Sequence, residues 1–171
     1  MDEMQGYLLT LVMFMGALWD VRENRIPNWL TAAGLAAGGI CSAVSLGDVS
    51  FIQFLLGAAA PAVLLYPLFY LHMIGAGDVK LLSAAGGFLG LTGSMACIMG
   101  SFLLGAVFSL CKCLYHKNLR IRLQYLAAYI STYLTTKTRV PYYKKEDGNE
   151  MTIPFGVPVF LWAALHMGGI V

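Results

Sequence analysis

The chain has 171 residues, of which 58% are hydrophobic and only 12% are charged, and its formal net charge is +2. Soluble globular domains carry about a quarter of charged residues, so this composition excludes an ordinary soluble protein and predicts an integral membrane protein. The length allows one domain, residues 1–171. The long apolar runs can each cross a bilayer as a helix, so we predict an all-α polytopic fold with about six transmembrane helices.

The first two predicted spans flank a short charged turn. Residues 5–19 form an apolar run, and Asp20 stands at its inner end, before two arginines. Pro27 disfavours helix in the residue before it and suits the start of the next helix, so the turn is predicted to end there. The second predicted span, about residues 29–46, is rich in glycine and alanine, which let transmembrane helices pack closely.

The next three spans differ in length. The third, about residues 51–72, is predicted to bend at its two internal prolines, each of which removes a backbone hydrogen bond. The fourth, about residues 79–91, is short and rich in small residues, so we expect it inside the bundle rather than against lipid. Residues 90–93 then form a turn at the outer face, and residues 94–114 return to the inner face.

The last third of the chain changes character. Leucines and isoleucines recur at helical spacing through residues 116–139 and alternate with lysines and arginines. This pattern predicts a basic amphipathic helix lying on the inner leaflet. A polar loop follows, so that the interfacial helix and the cytoplasmic loop together occupy about residues 116–152. The final span then ends near Gly169.

The distribution of positive charge predicts the orientation of the chain. If both termini lie outside, all eleven lysines and arginines fall on the cytoplasmic side of a bacterial or archaeal membrane, as the positive-inside rule requires. With the same topology, Asp20 at the end of the first span and Asp78 after the third reach the same, cytoplasmic face.

Residues 75–80, with the sequence Gly-Ala-Gly-Asp-Val-Lys, lie between two long apolar runs. An ionisable side chain near hydrocarbon is costly, so Asp78 is a candidate for a functional site. Gly75 and Gly77 lack a Cβ and allow another backbone to come close. The alternative interpretation is a plain turn in which Asp78 pairs with Lys80.

Two carboxylates at one depth suggest a chemistry. When Asp20 and Asp78 lie a few ångströms apart, they cannot both ionise easily, so one keeps a proton while the other acts as a base toward water. The water then attacks a peptide carbonyl, as in aspartic proteases. This chemistry needs neither a metal nor a cofactor. The three histidines have no second histidine or cysteine at ligand spacing, so we expect no metal site.

Three motifs, in this order, resemble those of one family. They are Trp19-Asp20 followed by Ile26-Pro27-Asn28, then residues 75–81 around Asp78, then Ile153-Pro154-Phe155-Gly156. The set resembles the type IV prepilin peptidases, which are polytopic membrane aspartic proteases of the GxGD type. The resemblance extends from the first predicted span to the last.

The resemblance implies that Asp20 and Asp78 are the catalytic pair. It also implies that the chain removes the short basic leader of prepilins or pseudopilins on the cytoplasmic side, after a glycine and before the hydrophobic helix. Its expected partners are these precursors and the lipid bilayer, with no nucleic acid. Archaeal preflagellin peptidases share the same dyad, so the substrate stays open within this group.

Larger members of the family also methylate the new terminus with S-adenosylmethionine and carry an N-terminal segment with paired C-x-x-C motifs. This sequence lacks that segment. It is therefore similar to the short, peptidase-only members that serve Flp or tight-adherence pili, and we expect no methyltransferase activity and no cofactor.

The remaining motif residues have less specific expected roles. Gly75 and Gly77 are predicted to allow close packing around Asp78. Lys80 either holds a negative charge near the dyad or reaches the membrane interface. A further set is expected to shape helix ends around the site: Pro27, Asn28, Pro154 and Gly156.

Two other classes of protein are compatible with intramembrane carboxylates. A small proton-coupled transporter is one, although such sites lie near the bilayer midplane and often accompany repeated halves. An inactive scaffold of a pilus or secretion assembly is the other. A presenilin-like protease fits less well, because those enzymes carry Tyr-Asp where this chain has Trp19-Asp20.

Overall fold

A computed structural model describes residues 3–44, 48–115 and 154–169, and the regular elements in these ranges are all helices. This confirms the predicted all-α class for the described residues. The predicted interfacial helix and the loop after it, residues 116–152, lie outside them. In chain order the helices are α1 (Glu3–Glu23), α2 (Asn28–Val44), α3 (Asp48–Leu64), α4 (Tyr66–Tyr70), α5 (Ala76–Tyr115) and α6 (Gly156–Met167).

Helix α1 is longer than the predicted first span, because it continues through Asp20 to Glu23. It ends where Asn24 takes a left-handed conformation with φ of 49°. Asparagine tolerates this conformation better than most residues, and it commonly ends helices. The Asn24 N–H donates to the Asp20 carbonyl oxygen at 2.9 Å. Asp20 therefore lies within the last turns of a helix.

The predicted third span is two helices rather than one bent helix. Helix α3 contains Pro61 and ends at Leu64, and α4 begins after Leu65 with Pro67 in its first turn. Leu65 keeps a backbone hydrogen bond to the Pro61 carbonyl oxygen at 2.9 Å. Each proline removes one N–H donor from the helical ladder, so two prolines six residues apart weaken the ladder enough to divide the span here.

Helix α5 folds back on itself at Gly90, which has φ of 70° and ψ of −176°. The Ser94 hydroxyl donates to the Gly57 carbonyl oxygen at 2.9 Å, and a Cβ added to Gly86 would meet that same oxygen and the Ser94 hydroxyl. Along a straight helix, residues 86 and 94 would be about 12 Å apart, whereas here both lie beside the same Gly57 carbonyl oxygen. The first half of α5, residues 76–89, therefore runs antiparallel to the second half, residues 91–115. The turn predicted over residues 90–93 is confirmed at Gly90, whereas residues 91–93 are helical.

The first half of α5 forms the centre of the bundle, since residues 81–88 are all buried. A Cβ added to Gly16 of α1 would meet the Leu81 side chain at 2.8 Å, and one added to Gly38 of α2 would meet the Phe88 ring at 3.3 Å. Helix α3 packs along the same segment, and α6 packs against α1 and the second half of α5. The expectation that this short segment lies inside the bundle is confirmed.

Much of the outer surface is apolar. Among the described residues, one helical stretch, Ala76–Lys112, which includes the fold-back at Gly90, is long and apolar enough to cross a membrane, and three shorter apolar helices accompany it. Large hydrophobic side chains on the second half of α5 are exposed, including Met99 at 74% and Leu103 at 68%. Exposed apolar surface of this extent is unusual for a soluble monomer and suits contact with lipid.

The fold-back gives a first testable prediction. Gly90→Ala is expected to destabilise the protein by about 1–3 kcal/mol, because the conformation at Gly90 is accessible almost only to glycine. An added Cβ would come no closer than 3.6 Å to Gln53, so the cost arises in the backbone rather than from a clash. Thermal unfolding in detergent measures the effect, with the exposed Thr92→Ala as control. Equal stability of the two variants would contradict the fold-back at Gly90.

Candidate active site

A cavity of about 580 Å³ opens at the end of the bundle where α1 ends and α5 begins. Its walls come from the last turn of α1 and the turn after it, from residues 73–78, and from Phe155 just before α6. Both Asp20 and Asp78 line it. The structure thus brings the two predicted carboxylates to one cavity, from chain segments nearly 60 residues apart.

Asp20 is only 7% exposed and is held from the far end of the chain. The backbone N–H of Gly156 donates to Asp20 Oδ2 at 2.7 Å. Gly156 is the first residue of α6, where the helix dipole also favours a negative charge. Helix α6 is held against α1 by apolar packing, including the Phe14 and Phe160 rings at a centroid distance of 5.4 Å. Asp20 therefore has a fixed, charge-assisted hydrogen-bond partner.

Asp78 lies in the first turn of α5 and is partly buried. A negative charge in this position is favoured by the helix dipole. Asp20 lines the same cavity as Asp78. Two carboxylates in one cavity repel each other when both are charged, so ionising both costs more than ionising one.

The two glycines of the Asp78 motif lie at close approaches. A Cβ on Gly77 would come within 3.2 Å of Ile26 Cβ, in the turn after α1. A Cβ on Gly75 would come within 3.1 Å of Asp78 Oδ2. Both glycines line the cavity. The small size of Gly77 thus lets the turn after α1 lie against the start of α5, and that of Gly75 leaves room for the Asp78 carboxylate.

Four other predicted residues lie around the cavity without lining it. Lys80 Nζ donates to Asn28 Oδ1 at 2.9 Å. The Pro27 carbonyl oxygen accepts from the Leu30 N–H at 3.2 Å, at the start of α2. The Pro154 carbonyl oxygen accepts from the Val157 N–H at 3.3 Å, at the start of α6.

A family model described as the type IV leader peptidase family matches residues 7–110, which is more than half of the chain. The chain belongs to the type IV leader peptidase family. This confirms the resemblance, and it establishes peptidase activity on prepilin-type leaders as the family's general function. No curated protein and no solved structure matches the chain.

The matched part of this leader peptidase contains both aspartates, Asn28 and the whole of residues 75–80. Gly156 lies beyond it, yet Gly156 is the residue that hydrogen-bonds Asp20. Sequence reasoning placed Gly156 only at a helix end. The structure gives it direct contact with a carboxylate of the cavity.

The sequence analysis gave no individual role to the other residues that line the cavity of this leader peptidase, although Ile26, Ala76 and Phe155 stand within its motifs. Each lies within four residues of a motif residue that was singled out, and adjacency to the motifs is the signal that could have marked them. In chain order they are Asn24, Arg25, Ile26, Met73, Ile74, Ala76 and Phe155.

The chemistry available in the cavity is that of its two carboxylates. Among the described residues, no three His, Cys, Asp or Glu side chains are grouped so that they could hold a metal ion. The cavity is large enough for a few residues of a peptide, since binding pockets commonly measure 300–1,000 Å³. A peptide and a water molecule can therefore be accommodated beside Asp20 and Asp78.

Proposed function

We propose that this leader peptidase is an aspartic endopeptidase in which Asp20 and Asp78 activate the hydrolytic water. The observation that carries the proposal is the single cavity that both carboxylates line. One carboxylate takes a proton from water as the water oxygen attacks the scissile carbonyl carbon. The other carboxyl group, which is protonated, donates a hydrogen bond to the developing oxyanion.

The second half of the reaction uses the same pair. The carboxyl group that received the water proton passes it to the leaving nitrogen as the peptide C–N bond breaks. A new carboxyl terminus and a new amino terminus are released, and the dyad returns to its state with one shared proton. The Gly156 N–H keeps the Asp20 carboxylate in one orientation throughout, because the hydrogen bond involves a backbone donor.

The substrate we propose is the basic leader of Flp-like type IV prepilins. Family membership supports a prepilin-type substrate. The mouth of the cavity is open and includes exposed residues such as Arg25 and Ala76, which supports access for an extended peptide. We further propose one domain with about six crossings and the cavity facing the cytoplasm. The clustering of positive charge on one side of the predicted topology supports this orientation.

The direct test is cleavage of an Flp-type prepilin co-expressed with the chain in membranes. We expect a product whose mass has fallen by that of the leader and whose new terminus follows a glycine. In detergent the rate should fall at both low and high pH, because a dyad with one shared proton fails when both groups are protonated or both are ionised.

Other outcomes distinguish the alternatives. If the folded protein cuts no prepilin but carries protons across the membrane of a liposome, the transporter interpretation replaces the peptidase. If it cuts prepilin with a rate that keeps rising toward high pH, a two-carboxylate mechanism is wrong although the peptidase activity stands.

A further inference from the structure

A hydrogen bond at the edge of the cavity joins the two chain segments that carry the carboxylates. Lys80 Nζ donates to Asn28 Oδ1 at 2.9 Å, and both residues are exposed. Lys80 follows Asp78 by two residues on α5, and Asn28 begins α2 directly after the turn that leaves α1. We propose that Asn28 and Lys80 form a clamp that sets the spacing between Asp20 and Asp78.

Near the carboxylates, α5 is contacted by the turn after α1, where a Cβ on Gly77 would meet Ile26, and the clamp adds a second restraint beside this contact. Helices α1 and α5 share a shorter interface than α1 shares with α6, and the close approach of Gly16 to Leu81 lies deeper in the bundle. At the cavity the two segments are separated by open space. Two carboxylates across such a space repel each other when both are charged, so their spacing depends on contacts beside them.

The turn between α1 and α2 can transmit the restraint. Ile26 packs on Gly77 at the start of α5, and Pro27 has a fixed φ and accepts the first hydrogen bonds of α2. The position of Asn28 is therefore linked to the end of α1 through a short, stiff connection. Lys80 and Asp78 belong to the same stretch of helix and move together.

The chemistry of the pair fits a positioning role. A lysine ammonium only donates hydrogen bonds, so the neutral amide oxygen of Asn28 is its acceptor. Neither residue lines the cavity, and neither contacts Asp20 or Asp78 in the described hydrogen bonds. We therefore treat Asn28 and Lys80 as positioning residues that act through the carboxylates, and their effect on catalysis depends on the function proposed above.

The kinetic test uses Asn28→Leu, Lys80→Met and the exchanged pair Asn28→Lys with Lys80→Asn. Each single variant is expected to lower kcat for prepilin cleavage about 5-fold, the effect of one exposed charge-assisted hydrogen bond, with little change in KM. The exchanged pair restores donor and acceptor in reverse order and should recover most of the activity. Arg22→Met, which removes an exposed cation from α1 outside the cavity, is the matched control.

A cross-linking test measures the spacing without any substrate. Arg25→Cys and Ala76→Cys, placed on the two walls of the cavity in a chain whose native cysteines are replaced by serine, are joined with a short bismaleimide. We expect Asn28→Leu and Lys80→Met to slow cross-linking and the exchanged pair to restore it.

Unchanged cross-linking in both single variants would overturn the clamp. The clamp would also be overturned if Lys80→Met lost activity and Asn28→Leu did not, because Lys80 would then act by its charge alone. If the parent chain cuts no prepilin while cross-linking still responds to the clamp, the clamp stands and the proposed function is wrong.

Discussion

Replacing either Asp20 or Asp78 by asparagine is expected to reduce prepilin cleavage by about 1,000-fold, within the range that general acid–base groups contribute. Asparagine keeps the size of the side chain and an amide oxygen, so Asp20→Asn can still accept the hydrogen bond from the Gly156 N–H. It cannot take up or release the proton that the mechanism requires. The fraction of prepilin processed in membranes at matched protein levels measures the loss.

The matched control for this experiment is Glu23→Gln. Glu23 is exposed, lies on α1 three residues after Asp20 and does not line the cavity, so its replacement removes a neighbouring charge without touching the site. We expect Glu23→Gln to cleave prepilin at the rate of the parent chain. The three variants Asp20→Asn, Asp78→Asn and Glu23→Gln are expected to have equal thermal stability. A folded Asp20→Asn or Asp78→Asn variant that keeps more than about a tenth of the parent rate would show that this aspartate is not the catalyst.

Gly156→Ala is expected to lower the cleavage rate about 10- to 100-fold, which corresponds to the loss of one hydrogen bond to a charged group. The added Cβ would lie 3.1 Å from Asp20 Oδ2 and 3.2 Å from Ala17 Cα. The α1 backbone at Ala17 cannot easily yield, so the start of α6 must move away. The 2.7 Å hydrogen bond from the Gly156 N–H to Asp20 is then lengthened or broken.

A second glycine provides the control for Gly156→Ala. In Gly39→Ala the added Cβ would meet the Phe54 ring at 3.4 Å, an ordinary contact far from the cavity. Cleavage rates and melting temperatures of both variants separate a local effect on Asp20 from a general loss of stability. If Gly156→Ala is as active as Gly39→Ala, the hydrogen bond from Gly156 is not important for catalysis.

The two aspartates illustrate what sequence reasoning can predict in this protein. Each is an isolated carboxylate at the end of an apolar run. Because Asp20 follows the first predicted span and Asp78 the third, the number of spans predicts that both lie at the same end of the bundle. Their common cavity agrees with that placement. The role of Gly156 could not be predicted in this way, because its backbone N–H has no signature in a pattern of side chains.

The helix boundaries show a similar limit. The turn at Gly90 was predictable because two glycines, Gly90 and Gly93, stand close together within the apolar run that follows Asp78. The extension of α1 past Asp20 was not, since Val21, Arg22 and Glu23 can continue a helix although they leave the apolar run. The third span was predicted to bend and is instead divided at Leu65, because two prolines weaken the helical ladder without specifying whether it bends or ends.

The hydrogen bond between Gly156 and Asp20 joins residues 136 positions apart in the chain. During synthesis, both carboxylates leave the ribosome long before the helix that orients one of them. Contacts of such long range form late, because the intervening chain must be ordered first. A partly made chain therefore contains Asp20 and Asp78 before α6 can dock and supply the hydrogen bond from Gly156 to Asp20.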